Sequence, residues 1–341
     1  MSEKFNKFKR RLLSQVQLLR VVFLVILLLV VGFGWFFLRQ PVSSIIRFIT
    51  SASSSSLPSH SGRTNFLILG IGGGSHESPD LTDTIIFASI SPSSSPVLLS
   101  IPRDLWVPSL QAKINTAFHY GREKAGDSGG LILAKSAVSE IIDQSVDFVV
   151  VFDFATFSQV VDYLGGIDVQ VERSFTDTQY PIAGKEDDLC AGDPEYKCRY
   201  ETITFAKGQQ HMDGNIALKF VRSRHSGDSE EGTDFARSQR QAQVIQAIKD
   251  KLLSRPDPAL YRRLYDLIIQ KIQTDIAPDH YFALTKLAMS ARKFNLKSHT
   301  LSTPDQLYHP PVSGKYLNQW VLTPLPNDPQ SISRYVADLL N

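Results

Sequence analysis

Residues Val21 to Leu38 form an uninterrupted apolar run, VVFLVILLLVVGFGWFFL. As a helix it spans about 27 Å, close to the hydrocarbon thickness of a bilayer. Lys4, Lys7, Lys9, Arg10, Arg11 and Arg20 precede it against Glu3 alone. The positive-inside rule places that end in the cytoplasm and everything after Leu38 outside. The rival, a cleavable signal peptide, has a shorter apolar core as a rule, and no A-x-A site precedes Arg39-Gln-Pro41. The expectation is a single-pass protein of the cell membrane. It has a basic cytoplasmic tail (1–20), one transmembrane helix (21–38) and an extracytoplasmic remainder.

Charge narrows the function. The whole chain is formally +2, yet its cations crowd before Thr64, so the part from Thr64 onward carries about −6. An acidic domain outside the cell is a poor nucleic-acid binder, and no nucleic-acid partner is expected.

Residues 39–63 end in the run Ser51-Ala-Ser-Ser-Ser-Ser-Leu-Pro-Ser-His-Ser-Gly62, the composition of an extracytoplasmic linker. Beyond it strands and helices alternate. Strands are expected at 65–71, 84–90, 97–101, 148–152 and 167–171. Helices are expected at 115–124, 131–142, 154–163, 211–220, 234–253, 260–272, 281–294 and 331–340. Residues 172–205 read as a long insertion carrying the two cysteines. The fold class is α/β: a three-layer α-β-α domain with a central mixed sheet.

A knot of guanidinium groups lies between Lys219 and Gln241. It reads Lys219-Phe-Val-Arg222-Ser-Arg224-His225, then an acidic loop, then Asp234-Phe-Ala-Arg237-Ser-Gln-Arg240-Gln241. In an extended segment Arg222 and Arg224 point the same way. On a helix Arg237, Arg240 and Gln241 share one face, near a terminus whose dipole repels cations unless an anion sits in front. Phosphate or pyrophosphate is the anion these forks fit. The plainer reading is solvated ion pairing with Asp228, Glu230, Glu231 and Asp234.

Other residues point to the same cleft. Ser100-Ile-Pro-Arg103-Asp104 follows a strand directly, where ligands gather in open α/β sheets. Lys113-Ile-Asn115 follows a short loop. The glycines of Gly70-Ile-Gly-Gly-Gly74 fit neither a dinucleotide fingerprint nor a Walker loop. Asp80 and Asp83 are hard oxygen ligands suited to Mg²⁺ near phosphate, or else turn and cap residues. Outside the membrane, Cys190 and Cys198 are expected to form a disulfide.

In their order, these pieces resemble the LytR-CpsA-Psr family of cell-wall glycopolymer ligases. The resemblance rests on the basic tail and single span, Asn65-Phe-Leu-Ile-Leu-Gly70, Thr82-Asp83-Thr84, Ser100-Ile-Pro-Arg103-Asp104 and Lys113-Ile-Asn115. It continues through Val161-Asp-Tyr-Leu-Gly-Gly-Ile-Asp168-Val169, Met212-Asp-Gly214, Arg222-Ser-Arg224-His225 and Asp234-Phe-Ala-Arg237-Ser-Gln-Arg240-Gln241. It makes 64–254 the catalytic core and 255–341 a C-terminal extension packed on it.

The resemblance implies a phosphotransferase that moves a glycan 1-phosphate from a polyprenyl-pyrophosphate carrier to a peptidoglycan hydroxyl. The expected partners are that lipid-linked glycan, peptidoglycan and the membrane lipid. Arg103, Arg222, Arg224, Arg237 and Arg240 would hold pyrophosphate, with Lys113 and Gln241 in support, and Asp83 would help hold Mg²⁺. Asp104 and Asp234 are the candidates for the base, or Asp83 where metal does not fully engage it. One departure stands out: the family's Gly-x-Asp after the first strand is here Gly70-Ile71-Gly72. That loss favours one alternative, a non-catalytic scaffold binding polyprenyl-phosphate lipids. A second alternative, a serine acyl-enzyme, rests on Ser290-Ala-Arg-Lys293 alone, with no K-T-G after it.

Overall fold

Eight consecutive buried residues make β1 (Thr64–Ile71), a strand covered on both faces. In this computed structural model residues 56–341 are described, apart from 75–78, 186, 229–230, 233, 255–256, 292 and 295–296. The expected tail, span and residues 39–55 lie outside the described residues. Among those described, no helix is long and apolar enough to cross a membrane.

β1 is the centre of the main sheet. It is followed by β2 (Thr82–Ile90), β3 (Val97–Ser100), the short β4 (Trp106–Val107) and β5 (Ala112–Lys113), and helix α1 (Ala117–Ile142). Next come β6 (Phe148–Asp153), α2 (Phe154–Tyr163), β7 (Ile167–Val171), β8 (Phe175–Pro181), β9 (Tyr200–Phe205) and β10 (Gly208–Met212). The chain closes with α3 (Gly214–Arg222), α4 (Asp234–Ser254), α5 (Pro258–Lys271), β11 (Gln273–Thr274), α6 (Tyr281–Ala291), β12 (Lys297–Thr300) and α7 (Ser331–Leu340).

The sheet order is β11-β6-β1-β2-β3-β12. The β1–β6 and β3–β12 pairs are parallel and the others antiparallel, so the sheet is mixed. The period-2 alternation of side chains sorts its residues between two cores. Leu67, Leu69, Phe87, Leu99, Val149 and Val151 pack with residues of α1 and α7. Phe66, Ile68, Ala88, Leu98, Phe148 and Val150 pack with α6. This is the expected α-β-α sandwich.

A second apolar centre lies beside the sheet, where α2 to α5 and β7 to β10 meet around Val161, Ile167, Phe175, Phe205, Met212, Phe220 and Val244. The Phe205 and Phe220 rings pack edge to face at 5.0 Å, and Phe175 lies 5.2 Å from Phe205. Full burial of such a ring stabilises by about 1.5–3 kcal/mol, and a good ring pair adds about 1 kcal/mol.

Several boundaries differ from the sequence expectations. The stretch read as an insertion, 172–205, contains a paired hairpin, β8 with β9, whose register shifts between Asp177 and Tyr180. His211 and Met212 are strand residues, and the helix begins only at Gly214. The two helices expected at 115–124 and 131–142 are present as the two parts of α1, separated by non-helical backbone at Ala125 and Gly126; only their bounds differ. The C-terminal stretch is more than a covering layer, because β11 and β12 form both edges of the central sheet.

Candidate active site

β1, β3 and β6 run in the same direction. Their carboxyl ends, with the start of β2, therefore lie along one edge of the sheet; Ile71 is paired with both Thr82 and Asp153. Backbone groups are released there, and ligands of open α/β sheets collect at such an edge. Gly73 follows β1 at a φ of +67°, and a Cβ on it would lie 2.6 Å from the Cβ of Asp153. Only glycine fits so close to the end of β6.

Arg103 leaves this edge just after β3. Its Nη1 donates to Asp83 Oδ1 at the start of β2. Its Nε is buried and has no hydrogen-bond partner; Asp104 Oδ2 lies 3.7 Å away, near enough for attraction but too far for a bond. Lys113 Nζ donates to Asp104 Oδ1 at 2.8 Å, across the short β4–β5 pairing. Asn115 is tied to the same place: its amide donates to the Arg103 carbonyl at 3.3 Å, and its own carbonyl accepts from Thr82 Oγ1 at 3.2 Å. The Asn115 Oδ1 is buried without a partner. The structure thus brings Asp83, Arg103, Asp104 and Lys113 into one charged row, as the sequence suggested.

The second source of arginine is α3. Its start is fixed twice: Asp213 accepts from the Ile216 amide at 2.8 Å, and Asp162 on α2 accepts from the Gly214 amide at 2.7 Å. Capping carboxylates of this kind favour a helix start by about 1 kcal/mol each. Arg222 is the last residue of α3 and Arg224 lies in the extended segment after it, so the two do not project from one strand. A cation at a helix C-terminus is favoured by the dipole. The Arg222 guanidinium lies 4.4 Å from the centre of the Phe154 ring and 6.0 Å from that of Tyr180. Phe154 directly follows Asp153, so this contact carries Arg222 to the carboxyl end of β6.

Arg240 differs from the phosphate ligand expected of it. It is 3% exposed. Its Nε donates to the Phe220 carbonyl at 3.1 Å, its Nη2 to the Ser223 carbonyl at 2.7 Å, and its Nη1 to the Glu231 carbonyl and carboxylate at 3.0 and 2.8 Å. The guanidinium also lies over the Phe175 ring at 4.6 Å. Burial lowers its pKa, and Glu231 works the other way. Its fork closes the open carbonyl end of α3. Arg237, in the first turn of α4, is only partly buried. The side chains of Asp234 and Gln241 lie outside the described residues.

Among the described residues the site carboxylates do not gather three together. Asp83 is engaged by Arg103 and Asp80 by Arg122, while position 72 offers no carboxylate. Among the described residues one group places three potential ligands together: Asp188, Cys190 and Cys198. Its two sulfurs form the expected disulfide. Mg²⁺ takes six oxygen ligands, of which one or two carboxylates beside phosphate and water commonly suffice; Asp83 and Asp80 are the described carboxylates suited to that role, each paired here with an arginine. Ser290 is half-buried on α6, which covers the sheet face, and Lys293 is exposed.

The residue that sequence reasoning missed is Asp177 in β8. It is fully buried. Its Oδ2 accepts from Ser223 Oγ at 2.7 Å and from the amides of Arg224 and His225 at 3.0 and 3.1 Å, and its Oδ1 from the Gln179 amide at 2.9 Å. Burial pushes its carboxyl up, but the Ser223 hydroxyl and the three amides outweigh that and hold it below the usual carboxylate value.

Residues 43–319 match the sequence model of the LytR_cpsA_psr family. The chain belongs to the LytR-CpsA-Psr family. One relative is the polyisoprenyl-teichoic acid–peptidoglycan teichoic acid transferase TagU of Oceanobacillus iheyensis. It is 28% identical over 273 residues, which cover 75% of this chain and 76% of that protein. The Bacillus subtilis protein of the same name is 25% identical over 224 residues, covering 64% of this chain and 62% of its own length. Among solved structures, protein gbs0355 of Streptococcus agalactiae superposes with a TM-score of 0.56 at 21% identity, covering 84% of this chain and 91% of that one. At that identity the likeness speaks for the fold. The matched range spans the row of motifs along the sheet edge.

Proposed function

We propose that this LytR-CpsA-Psr protein is a membrane-anchored, extracytoplasmic phosphotransferase. It moves a glycan 1-phosphate from a polyprenyl-pyrophosphate carrier to a hydroxyl of peptidoglycan. The observation that carries the proposal is Arg103. Asp83 holds it at the carboxyl edge of the sheet, and its buried Nε lacks an acceptor. A phosphate oxygen supplies one, and a buried donor left unsatisfied costs about 1–3 kcal/mol. The naming of the TagU relatives as teichoic acid transferases supports the same substrate class.

The chemistry follows from the charges. The acceptor oxygen attacks the glycan-side phosphorus, and the bond from that phosphorus to the bridging oxygen breaks. Polyprenyl phosphate leaves, and the acceptor proton passes to a base. Phosphoryl transfer of this kind is mainly positioning and charge stabilisation, so no covalent nucleophile is needed. Arg103, Arg222 and Arg224 face the pyrophosphate, with Arg237 in support. Lys113 holds Asp104, which with Asp234 is a candidate for the base. Mg²⁺ held by Asp83 would neutralise charge on the phosphates; each step above falls to the chain's own residues.

Gly72 favours a second reading, a scaffold that binds the same lipid without consuming it. Reconstitution separates the two. Purified protein is incubated with a polyprenyl-pyrophosphate-linked glycan, with and without peptidoglycan fragments, and free polyprenyl phosphate is measured. The phosphotransferase releases it only when acceptor is present, and Arg103→Ala suppresses the release. Binding of the lipid without release in either condition supports the scaffold.

A further inference from the structure

The cysteine-bearing hairpin has a place in the site. β8 and β9 carry the disulfide loop at one end, and their inner residues grip the chain that bears the arginines. Glu201 on β9 pairs with Lys219 of α3 at 2.8 Å. Tyr180 on β8 lies against Arg222. Asp177 bridges to Ser226 through the main chain, and its carboxylate takes the Ser223 hydroxyl and the two amides of Arg224 and His225.

We infer that Asp177 is the positioning residue of the anion clamp, setting where Arg224 leaves the backbone and, through Ser223, where α3 ends beneath Arg222. The inference rests on the pyrophosphate reading above. Two successive amides aimed at one carboxylate oxygen fix the main-chain direction of the segment, as backbone nests do for anions. Arg240 holds the carbonyl side of the same turn, through Phe220 and Ser223. Amide donors are thus drawn to Asp177 and carbonyl acceptors to Arg240, and the arginine-bearing turn is held from both sides. An asparagine at 177 has the same shape but cannot satisfy this set. Whichever way its amide is turned, an N–H₂ group faces either the Gln179 amide or the amides of Arg224 and His225.

The test compares Asp177→Asn, Arg224→Ala and the double variant, each checked for thermal stability, using farnesyl pyrophosphate as a soluble probe of the lipid. Asp177→Asn is expected to weaken probe binding about tenfold per folded molecule, with faster hydrogen exchange at the Arg224 and His225 amides. Because Asp177 acts through Arg224 and, by way of Ser223, Arg222, the double variant is expected to lose clearly less than the product of the two single losses. Should Asp177→Asn fail to fold, Ser223→Ala removes one of the four bonds, and a loss of about two- to fivefold is expected. If Asp177→Asn, or Ser223→Ala in its stead, binds like wild type while Arg224→Ala does not, the inference is wrong and the pyrophosphate reading stands. Fully multiplicative losses in the double variant also overturn it, since they mark Asp177 as independent of Arg224. If wild type does not bind the probe, or Arg224→Ala binds as well as wild type, the pyrophosphate reading fails and the inference falls with it.

Discussion

The Nη2 of Arg240 lies 2.7 Å from the carbonyl oxygen of Ser223, so this guanidinium closes a helix end. It belongs to the same basic run as Arg222, Arg224 and Arg237, yet its work is structural.

That assignment separates two arginines by experiment. Arg240→Ala leaves the carbonyls of Phe220 and Ser223 and the Glu231 carboxylate without their donor. A loss of about 2–4 kcal/mol of stability is expected, read as a lower midpoint in chemical denaturation. Arg240→Lys recovers only part of it, because an ammonium lacks the fork.

Arg103→Ala is the reverse case. Arg103 is a third exposed and its ion pair with Asp83 sits near solvent, so stability changes by about 1 kcal/mol or less. Pyrophosphate-lipid affinity falls about ten- to a hundredfold. Isothermal titration with farnesyl pyrophosphate measures it.

Binding should be indifferent to chelator. The anion is held by guanidinium groups, and Asp83 is engaged by Arg103. Titration of the probe with and without EDTA is expected to give affinities within about twofold, the precision of the method on the scale of one weak hydrogen bond. A loss of tenfold or more would show that a metal joins the complex.

Acid should loosen the arginine-bearing turn. Asp177 has a folded pKa below its ordinary 3.8. A depressed carboxyl contributes stability above the unfolded pKa, and that contribution is lost as pH falls through the lower folded value. Protection of the Arg224 and His225 amides, taken as the observed rate against the intrinsic rate at each pH, therefore stays high at neutral pH and falls only below the ordinary carboxylate range. In Asp177→Asn the same amides show low protection at every pH.

The disulfide should matter to stability and not to transfer. Cys190 and Cys198 are eight residues apart, in a loop beyond the paired part of β8 and β9. Replacing both with serine is expected to cost about 2–3 kcal/mol. Lipid affinity should stay unchanged, because Asp177, Tyr180 and Glu201 remain in the hairpin. Free-thiol titration of the unreduced, denatured wild type should find none.

The sequence made the sheet edge legible and hid what supports it. Arg103, Asp104 and Lys113 follow strand ends within a dozen residues of one another, so local pattern was enough to group them. Arg222 and Arg224 stand out in the sequence as candidate anion ligands, but the alternation rule puts them on a strand, and α3 reaches Arg222. Arg240 was misjudged because i, i+3 spacing places it beside Arg237 without showing that α3 ends against it. Asp177 left no signature. Three of its four partners lie 46 to 48 residues away, and two of those three are main-chain amides that any residue type provides. The β8–β9 hairpin was obscured by its bulge and by the charged loop between its strands. β12 escaped because Lys-Ser-His-Thr carries no apolar residue to give it away.

The most direct test follows a label through one turnover. Two samples of a polyprenyl-pyrophosphate glycan are prepared, with radioactive phosphorus at the glycan side in one and at the lipid side in the other, and each is incubated with the protein and peptidoglycan. The account predicts that the glycan-side label enters peptidoglycan while the lipid-side label stays on polyprenyl phosphate, and that Arg103→Ala slows both changes together. Retention of both labels on intact lipid, with the protein bound to it, would contradict the account and leave a binding scaffold in its place.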